Sequence, residues 1–68
     1  LNPIFQNIRV GKKYRLINYG ERNQFQVLQK ISEDNFLVKN TLTLESFELA
    51  DLVRYGRGKD FEIREVAG

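Results

Sequence analysis

The chain has 68 residues, with eleven Lys and Arg against nine Asp and Glu for a net charge of +2, and it contains neither Cys nor His. A chain of that length holds one small domain that buries only roughly 60% of its unfolded surface, and its composition excludes disulfides, thiolate metal sites and His-bound zinc as staples. No apolar run approaches the roughly 20 residues of a membrane-spanning helix, the small charge excess speaks to solubility rather than to a particular partner, and a Cys-free composition suits a reducing cytoplasm, the compartment expected here.

In chain order, LNPIFQNIRV holds the only proline and an irregular apolar pattern. Residues 1–9 therefore read as an arm, either disordered at its start or lying on the domain through Ile4, Phe5 and Ile8. Residues 10–67 read as one small domain. From Gly11 the pattern alternates as a strand does: Tyr14 and Leu16 share one face, Ile17 and Tyr19 the other, and the switch between them suggests a twist or a bulge. GERN at 20–23 reads as a turn, because Gly20 accepts positive φ and Asn23 tolerates it. QFQVLQKI follows as a second strand, with Phe25, Val27 and Ile31 inward and Gln24, Gln26 and Lys30 outward. SEDN at 32–35 is a second turn, and FLVKNT is a third strand with Phe36 and Val38 inward.

TLTLESFELADLVRYG admits two readings. One is a strand near 44–50, with Phe47 and Leu49 inward, followed by a helical turn or bulge at 50–53. The other is a helix with Leu49, Leu52 and Val53 on one stripe and Thr43 as its cap; the strand reading is preferred. GRGK at 56–59 is a turn, and FEIREV closes the chain as a strand with Phe61 and Ile63 inward. The expected fold is all-β: a small five-stranded barrel with a short helical turn before the last strand.

The stretch LINYGERNQFQV is echoed by LVRYGRGKDFEI, with Leu16/Leu52, Tyr19/Tyr55, Gly20/Gly56 and Phe25/Phe61 in equivalent places. A shared turn device accounts for the echo without gene duplication: Gly makes the turn, and Tyr covers the open end of the core.

VGKKYRLINYGERNQFQVLQKISEDNFLVK resembles the start of the Tudor-like branch of the Src-homology-3-like small barrels. Gly11 with Tyr14 is similar to that family's opening Gly-x-x-aromatic, Phe25 and Val27 to its second-strand pair, and Asp34-Asn35 to its second hairpin turn. The resemblance covers about residues 10–53. It implies an aromatic cage for a methylated Lys or Arg, held by cation–π attraction, to which Tyr14, Tyr19 and Phe25 would contribute. NTLT, where the rest of such a cage would lie, has no aromatic residue. The same opening also resembles small barrels of ribosomal and transcription proteins that touch RNA.

Catalysis is not expected. Without His or Cys, a base must be a carboxylate or Lys, and Ser32 and Ser46 lie beside acids in exposed positions. GRGK lacks the following helix of a phosphate loop. No cofactor or metal is expected, because Glu33-Asp34 and Asp60/Glu62 read as solvated carboxylates. The expected function is a non-catalytic binding module for an unidentified protein or a second copy of itself; the alternative is RNA or single-stranded DNA. The candidate binding surface is Tyr19, Arg22, Arg54, Tyr55, Arg57 and Lys59, where rings supply contact area and cations meet acceptors or phosphates. Lys12, Lys13 and Arg15 add cations at the start of the first strand. Leu28, Leu37 and Leu42 fall off the core pattern and form a candidate association patch, unless the arm docks there.

Overall fold

A computed structural model describes residues 5–67. The strands are β1 (Lys13–Asn18), β2 (Glu21–Ser32), β3 (Asn35–Asn40), β4 (Ser46–Glu48) and β5 (Glu62–Val66), with a 3-10 helix at Leu49–Val53 between the last two. All neighbours pair antiparallel, in the order β4-β3-β2-β1-β5. The fold is thus all-β, one five-stranded sheet with a helical turn before its last strand. The expected closure into a barrel is not found, because β4 and β5 stand at opposite edges of the sheet and do not pair.

The chain's radius of gyration is 11.0 Å, which matches the roughly 11 Å of a compact chain of this length. The concave face holds the core: Phe5, Tyr14, Leu16, Phe25, Val27, Phe36, Val38 and Leu49, each at most 4% exposed. Ile8, Phe47, Leu52, Val53, Phe61 and Ile63 pack around it. The gap left by the missing fifth ladder is filled by side chains. The 3-10 helix inserts Leu49, and the segment ahead of β1 inserts Phe5. That segment is pinned by Tyr14, whose hydroxyl accepts from the Arg9 N–H at 2.9 Å and donates to the Asn7 carbonyl at 3.5 Å. Ile4, expected to lie on the domain beside Phe5 and Ile8, falls outside the described residues.

Several local expectations shift. The first turn is Tyr19-Gly20, not GERN, since Asn18 pairs with Glu21 and β2 begins there. Ile31 is 47% exposed rather than inward. The cause is the register shift in β2 between Val27 and Gln29, because an extra residue moves the following side chains to the other face, and Ile31 itself falls in a second shift between Lys30 and Ser32. β4 is shorter than expected, and Leu49 heads the 3-10 helix instead of ending a strand. Thr43 caps no helix. It lies in the β3–β4 turn, where the Asn40 side chain accepts from the Leu42 and Thr43 N–H groups at 2.7 and 2.9 Å. Among the described residues, no helix is long and apolar enough to cross a membrane.

Phe5 and Ile31 test this arrangement. Removing a fully buried ring costs about 3–5 kcal/mol, so Phe5→Ala should leave the domain at the edge of unfolding, while Ile31→Ala should stay within about 0.5 kcal/mol of the parent. Thermal melts followed by circular dichroism read both, and similar losses in the two variants would contradict the assignment.

Candidate functional site

Tyr14, Leu16 and Asn18 alternate onto the concave side of β1, so the third inward slot holds an amide. Asn18 is 5% exposed and is the one buried polar residue among those described. Its Nδ2 donates to the Leu52 carbonyl at 3.0 Å and the Gly56 carbonyl at 3.1 Å, and its Oδ1 accepts from the Gly58 N–H at 2.7 Å. One side chain thus satisfies three backbone groups of the segment leading from the 3-10 helix to β5, a segment with few ladder bonds of its own.

A second clamp acts beside it. The Asp60 carboxylate accepts from the Tyr19 N–H at 2.9 Å and the Gly20 N–H at 2.8 Å. Those amides belong to the β1–β2 turn, where φ is +50° at Tyr19 and +78° at Gly20. Two positive φ values make the turn whose twist matches a two-residue hairpin. Gly adopts that conformation freely, but for a bulky residue it is strained by roughly 1–3 kcal/mol. The charge-assisted bonds from Asp60 offset that strain.

The turn and the distant segment meet directly. The Tyr19 hydroxyl donates to the Tyr55 carbonyl at 3.2 Å. The Tyr19 ring lies so close to Gly58 that a Cβ there would stand 2.9 Å from ring atom Cδ1, which leaves no room for a side chain. The two echoed Tyr-Gly pairs are therefore neighbours, but they do different jobs. The first makes a hairpin; the second ends the 3-10 helix, with Gly56 at φ +94° and its N–H donating to the Val53 carbonyl at 3.0 Å. Neither ring covers the core as the shared-device reading expected: Tyr19 is 60% exposed and Tyr55 84%.

Between them opens a pocket of about 210 Å³, lined by Leu16 and Leu52 on its apolar side, by both tyrosines, and by Glu21, Asp51 and Arg54. A second hollow of about 340 Å³ continues past Asn23, Leu52 and Asp51, shared with the first, to Phe47, Thr43 and Glu45. Together they form a groove with aromatic walls and three carboxylates. Its one cation among the described residues, Arg54, is held by Asp51 at 2.9 Å. Hydrogen bonding with Asp51, then the Tyr55 side chain, raises the Arg54 pKa above its already high ordinary value, so its charge is fixed and already partnered.

The structure brings together only part of the expected surface. Tyr19, Arg54 and Tyr55 line the groove. Arg57 instead stacks over the Phe61 ring, 5.6 Å from its centroid. Arg22 pairs with Ile17 on the convex face, and Lys59 is exposed in the turn before β5. Tyr14 and Phe25, offered as cage walls by the Tudor-like resemblance, are buried at 4% and 0%. The association patch does not assemble as a trio. Leu28 is the extra residue of the first bulge, next to the Gln29–Leu37 pair, whereas Leu42, 90% exposed, lies beyond the other end of β3. Among the described residues, no three His, Cys, Asp or Glu side chains converge as a metal site.

Sequence reasoning missed Asn18, Asp60, Glu21 and the groove's Phe47 end. Asn18 carried a readable signal, since it continues the inward phase of Tyr14 and Leu16. Asp60 carried none, because its role depends on a contact across more than forty residues of chain. The chain matches no family model, no curated protein and no solved structure.

The Asn18 clamp has a measurable consequence. Asn18→Ala removes three hydrogen bonds and leaves buried carbonyls unpaired, so urea unfolding should show a loss of about 2–4 kcal/mol. Glu21→Ala on the groove rim should change stability by less than about 0.5 kcal/mol. Equal effects would contradict the clamp.

Proposed function

We propose that the chain is a non-catalytic binding module whose aromatic, carboxylate-rich groove takes an extended, basic segment of a partner protein. The observation that carries this reading is the pairing of Tyr19 and Tyr55, both exposed, around a pocket that also presents Glu21, with Glu45 in the adjoining hollow. Exposed rings at fixed positions supply contact area at little cost in side-chain freedom, their faces attract cations, and carboxylates add charge complementarity. The groove's continuation to Phe47 suits a strand-like or polyproline segment rather than a single small molecule. The strain at Tyr19 adds weight: a bulky residue held at positive φ where Asn or Gly would fit better is a feature found at functional sites.

The five strands and the 3-10 turn before the last strand accord with the Src-homology-3-like, Tudor-like resemblance, and in this reading the sheet is an opened relative of such a barrel. A sequence without His or Cys is poorly equipped for acid–base or thiol chemistry, which favours binding over catalysis. Nucleic-acid binding at the two Tyr-Gly turns draws less support. Arg54 is engaged by Asp51, Arg57 by Phe61, and the groove's unmatched charges are acidic.

A capped hexapeptide alternating Arg and Pro tests the reading, with its Glu-Pro counterpart as control. In two-dimensional amide NMR, the basic peptide should move the Tyr19, Phe47, Leu52 and Tyr55 signals and the acidic one should not. Tyr19→Asn keeps a residue that tolerates the turn but removes the ring. It should weaken binding at least fivefold while leaving the melting midpoint unchanged or raised. Absence of shifts with the basic peptide, or shifts confined to residues away from the groove, would reject the proposal.

A further inference from the structure

The convex face of the sheet has a different chemistry from the groove. Directly opposed residues of antiparallel strands share a face, so the strand registers place side chains on it in rows. One row runs Ser46, Lys39, Gln26, Lys13 and Val66; the next runs Gln24, Arg15 and Arg64; a third runs Arg22, Ile17 and Glu62. Among the described residues, β5, β1, β2 and β3 thus carry five cations, Lys13, Arg15, Arg22, Lys39 and Arg64, against the single carboxylate Glu62. Glu62 accepts a hydrogen bond from Arg64. Glu48, the face's other acid, stands at the far edge on β4 and accepts from Asn35 at 2.8 Å. Since the whole chain carries an excess of only +2, this face is basic and the remainder is net acidic.

The arrangement works against stability. Arg15 and Arg64 are exact cross-strand neighbours, and like charges directly opposite repel. Gln24, on the other side of Arg15, offers no compensating charge. Glu62 already partners Arg64, and an anion from outside would supply the partner that Arg15 lacks among the described residues. Successive outward residues stand roughly 6.8 Å apart along a strand, and neighbouring strands about 4.8 Å apart, so the cations form an extended lattice rather than one anion pocket. The interleaved Gln24 and Gln26 amides add hydrogen-bonding groups. No aromatic side chain stands on this face among the described residues, so the stacking used to bind unpaired bases is absent.

We infer that the convex face, centred on Lys13, Arg15 and Arg64 and flanked by Arg22 and Lys39, docks the phosphodiester backbone of a nucleic-acid duplex without reading its sequence. Phosphate contacts of this kind position a protein and carry no base information. The surface is separate from the groove and does not rest on the peptide-binding reading.

Fluorescence anisotropy with a labelled mixed-sequence 20-base-pair DNA duplex tests the inference, with duplexes of two unrelated sequences and a single strand of the same length compared. Binding should be equal for the two duplexes and weaker for the single strand. With about four phosphates neutralised, affinity should fall roughly a hundredfold between 50 and 200 mM salt. Lys13→Ala with Arg15→Ala should weaken duplex binding at least tenfold at 50 mM salt and flatten the salt slope by about two, while Tyr55→Ala should leave it unchanged. Arg15→Gln alone should weaken binding yet raise the melting midpoint by about 1–4 °C, because it relieves the like-charge pair; a purely structural Arg15 would not give that opposition. No duplex binding at 50 mM salt, or binding indifferent to the double variant, would overturn the inference. So would a concentration-dependent mass in light scattering that the double variant abolishes, which would assign the face to a second copy of the chain.

Discussion

The whole groove end of this small sheet depends on the amide of Asn18. A three-residue β4 and a five-residue 3-10 helix leave the chain from Arg54 to Phe61 without a ladder to join, and backbone groups there need partners as much as those in a strand. Asn18 supplies them from inside the core, with two donors and one acceptor in use. A hydrophobic residue would fill the same slot and leave those groups unmatched, a loss larger than the burial would return. The amide is where the sheet accepts a polar group in its interior in order to fix a loop.

Once that loop is fixed, Asp60 is in place to hold the hairpin at Tyr19-Gly20, and Gly58 is in place to receive the Tyr19 ring. The chain of consequence runs from one buried side chain to a strained turn and then to two exposed rings. Preorganisation of this kind matters for binding because rings held in position lose less freedom when a partner arrives. The sheet also separates two chemistries. Its concave end gathers Glu21, Glu45 and Asp51 with aromatic walls, while its convex face gathers lysines and arginines. A net charge of +2 conceals that division, since opposite signs cancel in the sum and not on the surface.

The strands were legible where alternation was unbroken. Phe25 and Val27, and Phe36 and Val38, read inward from period two, Tyr14 and Leu16 read as sharing one face, and all six are buried. Legibility failed where one residue too many entered a strand. The bulge at Leu28 reverses the phase, so Ile31 looks like core in the sequence and stands in solvent. It also failed at closure, because the hydrophobic pattern specifies which residues go inside and not whether the edge strands meet. Phe5 and Leu49 fill the space that a closed barrel would have sealed by pairing. At the candidate site, Tyr19, Tyr55 and Arg54 were visible as exposed types beside glycines. The phase of Asn18 was visible too, but an Asn at the end of a strand reads equally as a turn residue. Asp60 was beyond reach, because its partners lie across the fold.

Backbone amide hydrogen exchange tests this account most directly. The N–H groups of Tyr19, Gly20 and Gly58 lie outside every strand, and among the described residues their only bonds are to the side chains of Asp60 and Asn18. If those two side chains hold the end together, the three amides exchange as slowly as those in the flanking parts of β1 and β5, and Gly58 loses its protection when Asn18 is replaced by Ala. Exchange at the rate of an unstructured chain in the parent protein would contradict the account.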